Sequence, residues 1–232
     1  MRARPFIKLE QGAIVSVVLL PHGANHPGAD PSATTIVPVV VDLLAPRSVV
    51  DVGCGTAAWA AAFVRCGVPD VVGVDAAYVR PSLMIPPEQF IEAELAEPLC
   101  LGRKFDLAVS LEVAEHLPYA VGGTFVASLC EHADLVLFSA APPGQGGIGH
   151  INMEWPSYWA GLFGQHGFRG ADLFRARFWN DEAIMWWYRQ NLLLFGTEQR
   201  LAECCISPTT VLDLAHPALI AHLLDRFAHE GD

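Results

Sequence analysis

Hydrophobic positions along the chain switch between two periods. Between residues 48 and 140, five short apolar runs read as strands: "SVVDVG" (48–53), "DVVGVD" (70–75), "EQFIEAEL" (88–95), "KFDLAVSLEV" (104–113) and "ADLVLFSA" (133–140). Helical spacing fills the gaps, in "TAAWAAAFVRCG" (56–67), which Gly67 ends, and over 119–132. A further helix over 33–44 precedes the first strand, with Ser32 placed to cap it and Pro46 to stop it. Strands alternating with helices imply right-handed crossovers, so a mostly parallel sheet is expected with helices on both faces.

The last third changes rhythm. A helix over 155–166 ends at Gly167, "FRGADLFRARFW" (168–179) reads as a strand, "DEAIMWWYRQ" (181–190) as a short helix and "NLLLFG" (191–196) as the last strand. Two late strands joined by so short an insert pair antiparallel more naturally than parallel. The expected fold is α/β, a Rossmann-like, doubly wound, seven-stranded sheet, mostly parallel with the last strand antiparallel. Residues 197–232 read as a helical extension and 1–31 as an N-terminal extension, with a strand at "AIVSVVLL" and the loop "PHGANHPGADP" (21–31) carrying His22 and His26. The unit between them spans 32–196. The eight-residue apolar run is too short to cross a bilayer, so no membrane association is expected.

Composition narrows the partners. At 232 residues the chain buries a full core, and its net charge of −11 with no basic run argues against nucleic acid, which needs clustered Lys and Arg. A neutral or cationic small molecule suits this balance. Six scattered cysteines lack zinc spacing, and reduced thiols point to the cytoplasm; no metal is expected from the linear spacing of His, Asp and Glu. The N-terminal strand and the helical tail are candidates for pairing across a homodimer.

The stretch "VVDVGCGTAAWAAAF" (49–63) is strand, tight turn and helix, the form of a cofactor loop. Gly53 and Gly55 let a backbone approach a ligand closely. A dinucleotide would set its pyrophosphate over the helix N-terminus, where Asp51 opposes it. S-adenosylmethionine carries no phosphate and brings an ammonium to the same place. Asp75 ends the second strand 22 residues after Gly53, where a carboxylate accepts from ribose hydroxyls, and Glu94 follows the third, placed for an adenine amino group. Ala76 and Leu95 neighbour them as cofactor-binding positions.

With these residues the chain resembles the class I S-adenosylmethionine-dependent methyltransferases over roughly 33–196. "VVDVGCGT" is similar to their glycine motif, "VVGVD" to their ribose-binding strand end and "FDLAVSLEVAEHLP" to their fourth-strand motif. The resemblance implies S-adenosylmethionine as cofactor, the backbone near Leu111 beside it and a reversed final strand. Two positions depart from the pattern: Ala57 stands where a last glycine is often seen, and Glu94 where aspartate is commoner.

Methyl transfer requires an aligned nucleophile, and an alcohol acceptor also requires a base. His116 after the fourth strand and His150 on the glycine-rich loop after the fifth are the candidate catalytic residues; each has a structural alternative, a backbone hydrogen bond for His116 and a helix cap for His150. Trp155, Tyr158, Trp186, Trp187 and Arg189 are the candidate acceptor contacts. Most of these aromatics suit a core equally, and Arg189 suits a surface ion pair. Consecutive Trp186, Trp187 and Tyr188 cannot all face one way. A looser likeness of "GHINMEWPSYW" and "WWYRQNLLLF" to methyltransferases of bacterial glycan and natural-product pathways favours a sugar or polyol hydroxyl. N- or C-methylation, or non-catalytic binding of the cofactor, are the alternatives.

Overall fold

The computed structural model describes residues 29–229, so the expected N-terminal strand and His22 and His26 lie outside the described residues. Helix α1 (Ala29–Leu44) leads into β1 (Ser48–Val52), α2 (Ala58–Arg65) and β2 (Asp70–Asp75). Then come β3 (Phe90–Glu92), β4 (Leu107–Leu111), α3 (Gly122–His132) and β5 (Leu135–Ser139). Helix α4 (Pro156–Gln165) precedes β6 (Phe168–Ala171), α5 (Arg175–Phe178), α6 (Trp186–Asn191) and β7 (Leu193–Thr197), and α7 (Glu198–Glu203) and α8 (Pro217–His229) follow. The seven strands form one sheet ordered β3-β2-β1-β4-β5-β7-β6. All pairs are parallel except β5–β7 and β6–β7, so β7 alone runs against the rest, as expected.

The core lies on both sheet faces. On one, α1 and α2 bury Ile36, Val40, Trp59 and Phe63 against Val49, Leu107 and Leu137; on the other, α3 and α4 bury Phe125, Leu129, Trp159 and Phe163 against Val50, Ala108 and Phe138. Because strand side chains alternate faces, the uninterrupted apolar runs of β4 and β5 are what a sheet covered on both sides requires.

Three local expectations change. Helix α1 starts at Ala29, so residues 29–31 of the expected loop are helical and Ser32 lies inside the helix; its Oγ accepts from the backbone N–H of Met185 at 3.1 Å rather than capping. The expected strand 168–179 ends at Ala171, because buried Arg175 turns the chain into a helix, pairing with Asp172 at 2.9 Å and donating to the carbonyls of Val211 and Leu212. The helix expected over 181–190 begins only at Trp186. The Arg175 contacts strap the segment after α7 to the domain, and α8 then packs on α6 and on the loop after β5, where its Leu223 abuts Gly144. Among the described residues no helix is long and apolar enough to cross a membrane.

Candidate active site

Parallel strands bring their C-terminal ends to one edge, and β1 and β4 diverge there because their crossovers leave toward opposite sides of the sheet. Such a switch point opens a crevice for a ligand. The residues after β1, β2, β4 and β5 all meet at this edge. A shallow depression lined by Lys104, Cys130, Asp134 and His166 lies at the opposite edge, away from these groups.

After β1 the chain turns through Gly53 (φ +80°) and Gly55 (φ +53°) into α2. A Cβ on Gly53 would stand 2.5 Å from the Val113 methyls, whereas nothing lies within 4 Å of that position on Gly55, which leaves its side of the loop open. Ala57 takes the left-handed φ of +61° that suits glycine, fully buried, so the departure from the family pattern is carried as backbone strain. Asp51 is buried at the end of β1 and accepts from the N–H of Ala60 at 3.2 Å. Burial, with a smaller push from the charge of Asp75, raises its carboxyl to about 7 against the pull of that hydrogen bond.

Asp75 closes the loop from the other side. Its Oδ2 accepts from the N–H of Gly55 and its Oδ1 from that of Ala76, both at 2.7 Å. A carboxylate oxygen has more than one lone pair, so a group placed like this can also accept from a ribose hydroxyl. Glu94 is exposed, Leu95 half-buried and Leu111 buried at the end of β4. Tyr78 lies near these acids: after burial, the charges of Asp75, then Cys54 and Glu94, help raise its hydroxyl to about 12. Buried Asp51, the open face of Gly55 and a turn braced by Asp75 fit a nucleoside ligand with a cationic tail.

The other half of the crevice is built on "LEVAEHLP". Glu112 has the left-handed φ of +56°, uncommon for a side-chain-bearing residue, and this bends the chain sharply at the end of β4. Its Oε2 accepts from Gln145 Nε2 at 2.6 Å and its Oε1 from Asn191 Nδ2 at 3.1 Å. The network runs on from Asn191 to Gln190 and from Gln190 to the N–H of His216. Thus a carboxylate at β4, the loop after β5, α6 and the approach to α8 share one buried polar chain.

Glu115 is fully buried, and neither carboxyl oxygen has a partner in hydrogen-bonding geometry. Burial and then the charge of Glu112 push its carboxyl well above the usual range, against a weaker pull from the backbone N–H groups of Glu115 itself and Ala141. Glu112 also titrates high through burial. Because the donors of Gln145 and Asn191 face Glu112, that residue holds the negative charge and Glu115 the proton. The backbone carbonyl of Glu115 accepts from Ile151 and Asn152 at 2.9 and 3.0 Å, stitching the glycine-rich loop to this turn. His150 thereby lies with Nε2 3.9 Å from Glu115 Oε1 and its ring edge-on to His116, centroids 4.7 Å apart. The two candidate catalytic histidines therefore meet. The linear sequence hid Glu112, Glu115, Gln145 and Asn191; the one available signal was the pair of carboxylates three apart in "EVAE".

The aromatic candidates divide. Tyr188 is core, edge-on to Trp59, and Trp187 packs against the same cluster. Trp186 is half-buried beside His222 of α8. Tyr158 packs on Tyr119 beyond β4, and half-buried Trp155 sits immediately before α4. Arg189 donates to the carbonyl of Trp179 at 3.4 Å instead of the expected surface ion pair.

Residues 33–125 match the family model of a methyltransferase domain. No curated protein matches the chain. Among solved structures, the sugar N-methyltransferase KedS8 from a Streptoalloteichus species is similar at 16% identity and TM-score 0.57, over 85% of this chain and 99% of that one. DesVI of Streptomyces venezuelae is similar at 16% identity and TM-score 0.54, over 73% of this chain and 91% of that one. The magnesium protoporphyrin IX methyltransferase of Synechocystis, with S-adenosylhomocysteine bound, is similar at 16% identity and TM-score 0.51, over 73% of this chain and 84% of that one. At these identities the likeness is one of fold.

Proposed function

We propose that the chain is a class I S-adenosylmethionine-dependent methyltransferase, in keeping with the methyltransferase-domain match over residues 33–125, and that it methylates a hydroxyl of a small molecule, most simply a sugar or similar polyol. The observation that carries this reading is the cluster of Glu115, His116 and His150 across the crevice from Asp51 and Asp75. Oxygen, unlike an amine, must shed its proton near the moment of transfer, and such a cluster takes it up or makes it easier to lose. The structural neighbour that methylates a sugar nitrogen supports a sugar-sized acceptor.

When bound, S-adenosylmethionine supplies a sulfonium methyl open to in-line displacement. In this reading Asp51 holds the ammonium end, Gly53 and Gly55 admit the backbone contact, Asp75 accepts from the ribose, and Glu94 with Ala76 and Leu95 borders the adenine. The backbone at Leu111 lines the floor. The acceptor enters between the glycine-rich loop and α6, with Trp155, Tyr158, Trp186, Trp187 and Arg189 as the candidate walls. The acceptor oxygen would face the sulfonium methyl that the cofactor supplies, and the hydroxyl proton would leave on the side of His150 and His116.

Calorimetric titration with S-adenosylmethionine and its demethylated product tests the cofactor half, and Asp75→Ala is expected to abolish both. A sugar screen with NMR identification of the methylated atom tests the acceptor half. Methylation at nitrogen or carbon with hydroxyl acceptors inert would overturn it, as would cofactor binding with no turnover on any acceptor.

A further inference from the structure

We propose that Glu115, His116 and His150 form a binding site for one divalent transition-metal cation, placed to take the acceptor oxygen. This rests on the reading of that cluster as the acceptor-activating side of the crevice, and it changes the part of His150 from proton acceptor to ligand.

The three residues each bring one ligand atom to within 4.8 Å of the others, and Glu115 Oε1 to His150 Nε2 is 3.9 Å. Three ligands at about 2.1 Å from an ion stand roughly 3.0–3.4 Å apart, so closure asks for about an ångström of movement. Glu115 is the second sign of a ligand: a buried carboxyl normally faces well-placed donors, and here the Glu112 carboxyl and the backbone N–H groups of Glu115 and Ala141 lie near, none in full hydrogen-bonding geometry. Nearby Glu112, by contrast, is fully furnished by Gln145 and Asn191.

The surrounding contacts orient the histidines as ligands. Nδ1 of His116 lies 3.3 Å from the carbonyl of Gly149, which can only accept, so Nδ1 carries the proton and the lone pair stands on Nε2. His150 follows glycines at positions 146, 147 and 149, all at positive φ, and a Cβ on Gly147 would overlap its imidazole. The glycines therefore do more than loosen the loop; they let it fold the His150 ring back onto Glu115. Two imidazoles and one carboxylate suit Mn²⁺, Fe²⁺ or Zn²⁺ better than Mg²⁺, which prefers oxygen. Three protein ligands leave positions open for a hydroxyl, whose proton a bound cation makes easier to lose. That proton departs to solvent, the oxygen pair takes the methyl, and the C–S pair returns to sulfur.

The test uses the full chain, stripped of metal with EDTA and titrated with Mn²⁺, following loss of the free-ion EPR signal. One Mn²⁺ per chain is expected, weakened about 100-fold in Glu115→Gln and in His150→Ala. Co²⁺ is expected to show visible absorption bands of imidazole ligation that weaken in His116→Ala, and circular dichroism checks that each variant folds. Failure of both ions to bind the folded wild-type chain overturns the site, and so does unchanged affinity in the folded ligand variants. Methyl transfer is followed in parallel to separate the two readings. Cation binding without hydroxyl methylation keeps the site and removes the acceptor reading. Hydroxyl methylation by the metal-free chain, lost in His150→Ala, removes the cation's part and leaves His150 as the direct base.

Discussion

Replacing Asp51 with asparagine probes the cofactor end of the crevice through its pH dependence. In the folded chain burial lifts this carboxyl from 3.8 to about 7. The shift of about three units corresponds to about 4 kcal/mol, at ~1.4 kcal/mol per unit. Between pH 4 and 7 the unfolded chain has released this proton while the folded chain keeps it, so the unfolded state binds fewer protons and stability falls as pH rises. The contribution is fully present below pH 4 and gone above pH 7. The asparagine side chain would keep an acceptor for the N–H of Ala60 but has no proton to lose. Scanning calorimetry from pH 4 to 8 should therefore show the wild-type Tm falling relative to Asp51→Asn by about 10 °C, at roughly 2–4 °C per kcal/mol for a chain of this size. Ligand binding reverses the sign. An ammonium beside Asp51 favours the anion, so below pH 7 binding of S-adenosylmethionine should release close to one proton, read as a dependence of the heat on buffer ionisation enthalpy. Its affinity should rise nearly tenfold per pH unit up to about 7, and the asparagine variant should bind weakly and show no such slope. Parallel Tm profiles for the two proteins would refute the burial argument. Equal affinities would refute the placing of the ammonium.

Three further substitutions test other parts of the construction. Gly53→Ala forces a side chain into a φ of +80° and against Val113; a loss of about 3 kcal/mol in urea unfolding, with cofactor binding impaired, is expected. Gly147→Ala displaces the His150 ring, so turnover should drop while calorimetric cofactor affinity stays at the wild-type value. Arg175→Met leaves Asp172 and the carbonyls of Val211 and Leu212 without their donor; about 2–4 kcal/mol should be lost, with faster proteolysis between residues 204 and 216.

How much of this was legible in the chain depends on whether the information was local. The runs at β1, β2, β4 and β5 declared themselves because a strand covered on both faces must be apolar at successive positions, and their ends agree with the expected ones to within about three residues. The reversal of β7 followed from the shortness of the insert before it. Residues 172–179 misled because their apolar and basic alternation imitates a strand. Their conformation is set by Arg175 reaching carbonyls more than thirty residues ahead, and nothing near it in sequence shows that. The same holds for the site. The residues proposed to hold the cofactor lie within one strand–turn–helix and the next strand end, where spacing alone can propose them. His150 is thirty-four residues from His116, and only the pairing of β4 with β5 brings their loops together. Glu115 is invisible for another reason: a glutamate after a strand reads as a solvated charge until its burial is known.

If the acceptor enters the crevice as proposed, the charges across it should discriminate among acceptors. Asp51, Asp75 and exposed Glu94 put carboxyl groups on the side of the crevice proposed for the cofactor. Across from them burial and mutual repulsion raise both Glu112 and Glu115, so the two carboxyls favour sharing one negative charge, which the donors of Gln145 and Asn191 draw to Glu112. A divalent cation at the proposed site would displace the proton shared by the two carboxyls, and the two carboxylates would then offset its charge. In a crevice with buried walls a charge opposite another counts for far more than it does in water. A neutral sugar meets little electrostatic resistance in either state, whereas an acceptor bearing a carboxylate or phosphate is repelled by the metal-free site and admitted by the loaded one. Competition between a neutral sugar and its uronic acid counterpart reads this directly. Metal-free protein should favour the neutral sugar strongly, and Mn²⁺ should narrow the preference. Glu112→Gln, which removes the fixed charge but keeps the size and one acceptor oxygen, should narrow it without metal. A preference unmoved by both changes would mean that the acceptor lies beyond the reach of Glu112 and Glu115, against another wall of the crevice.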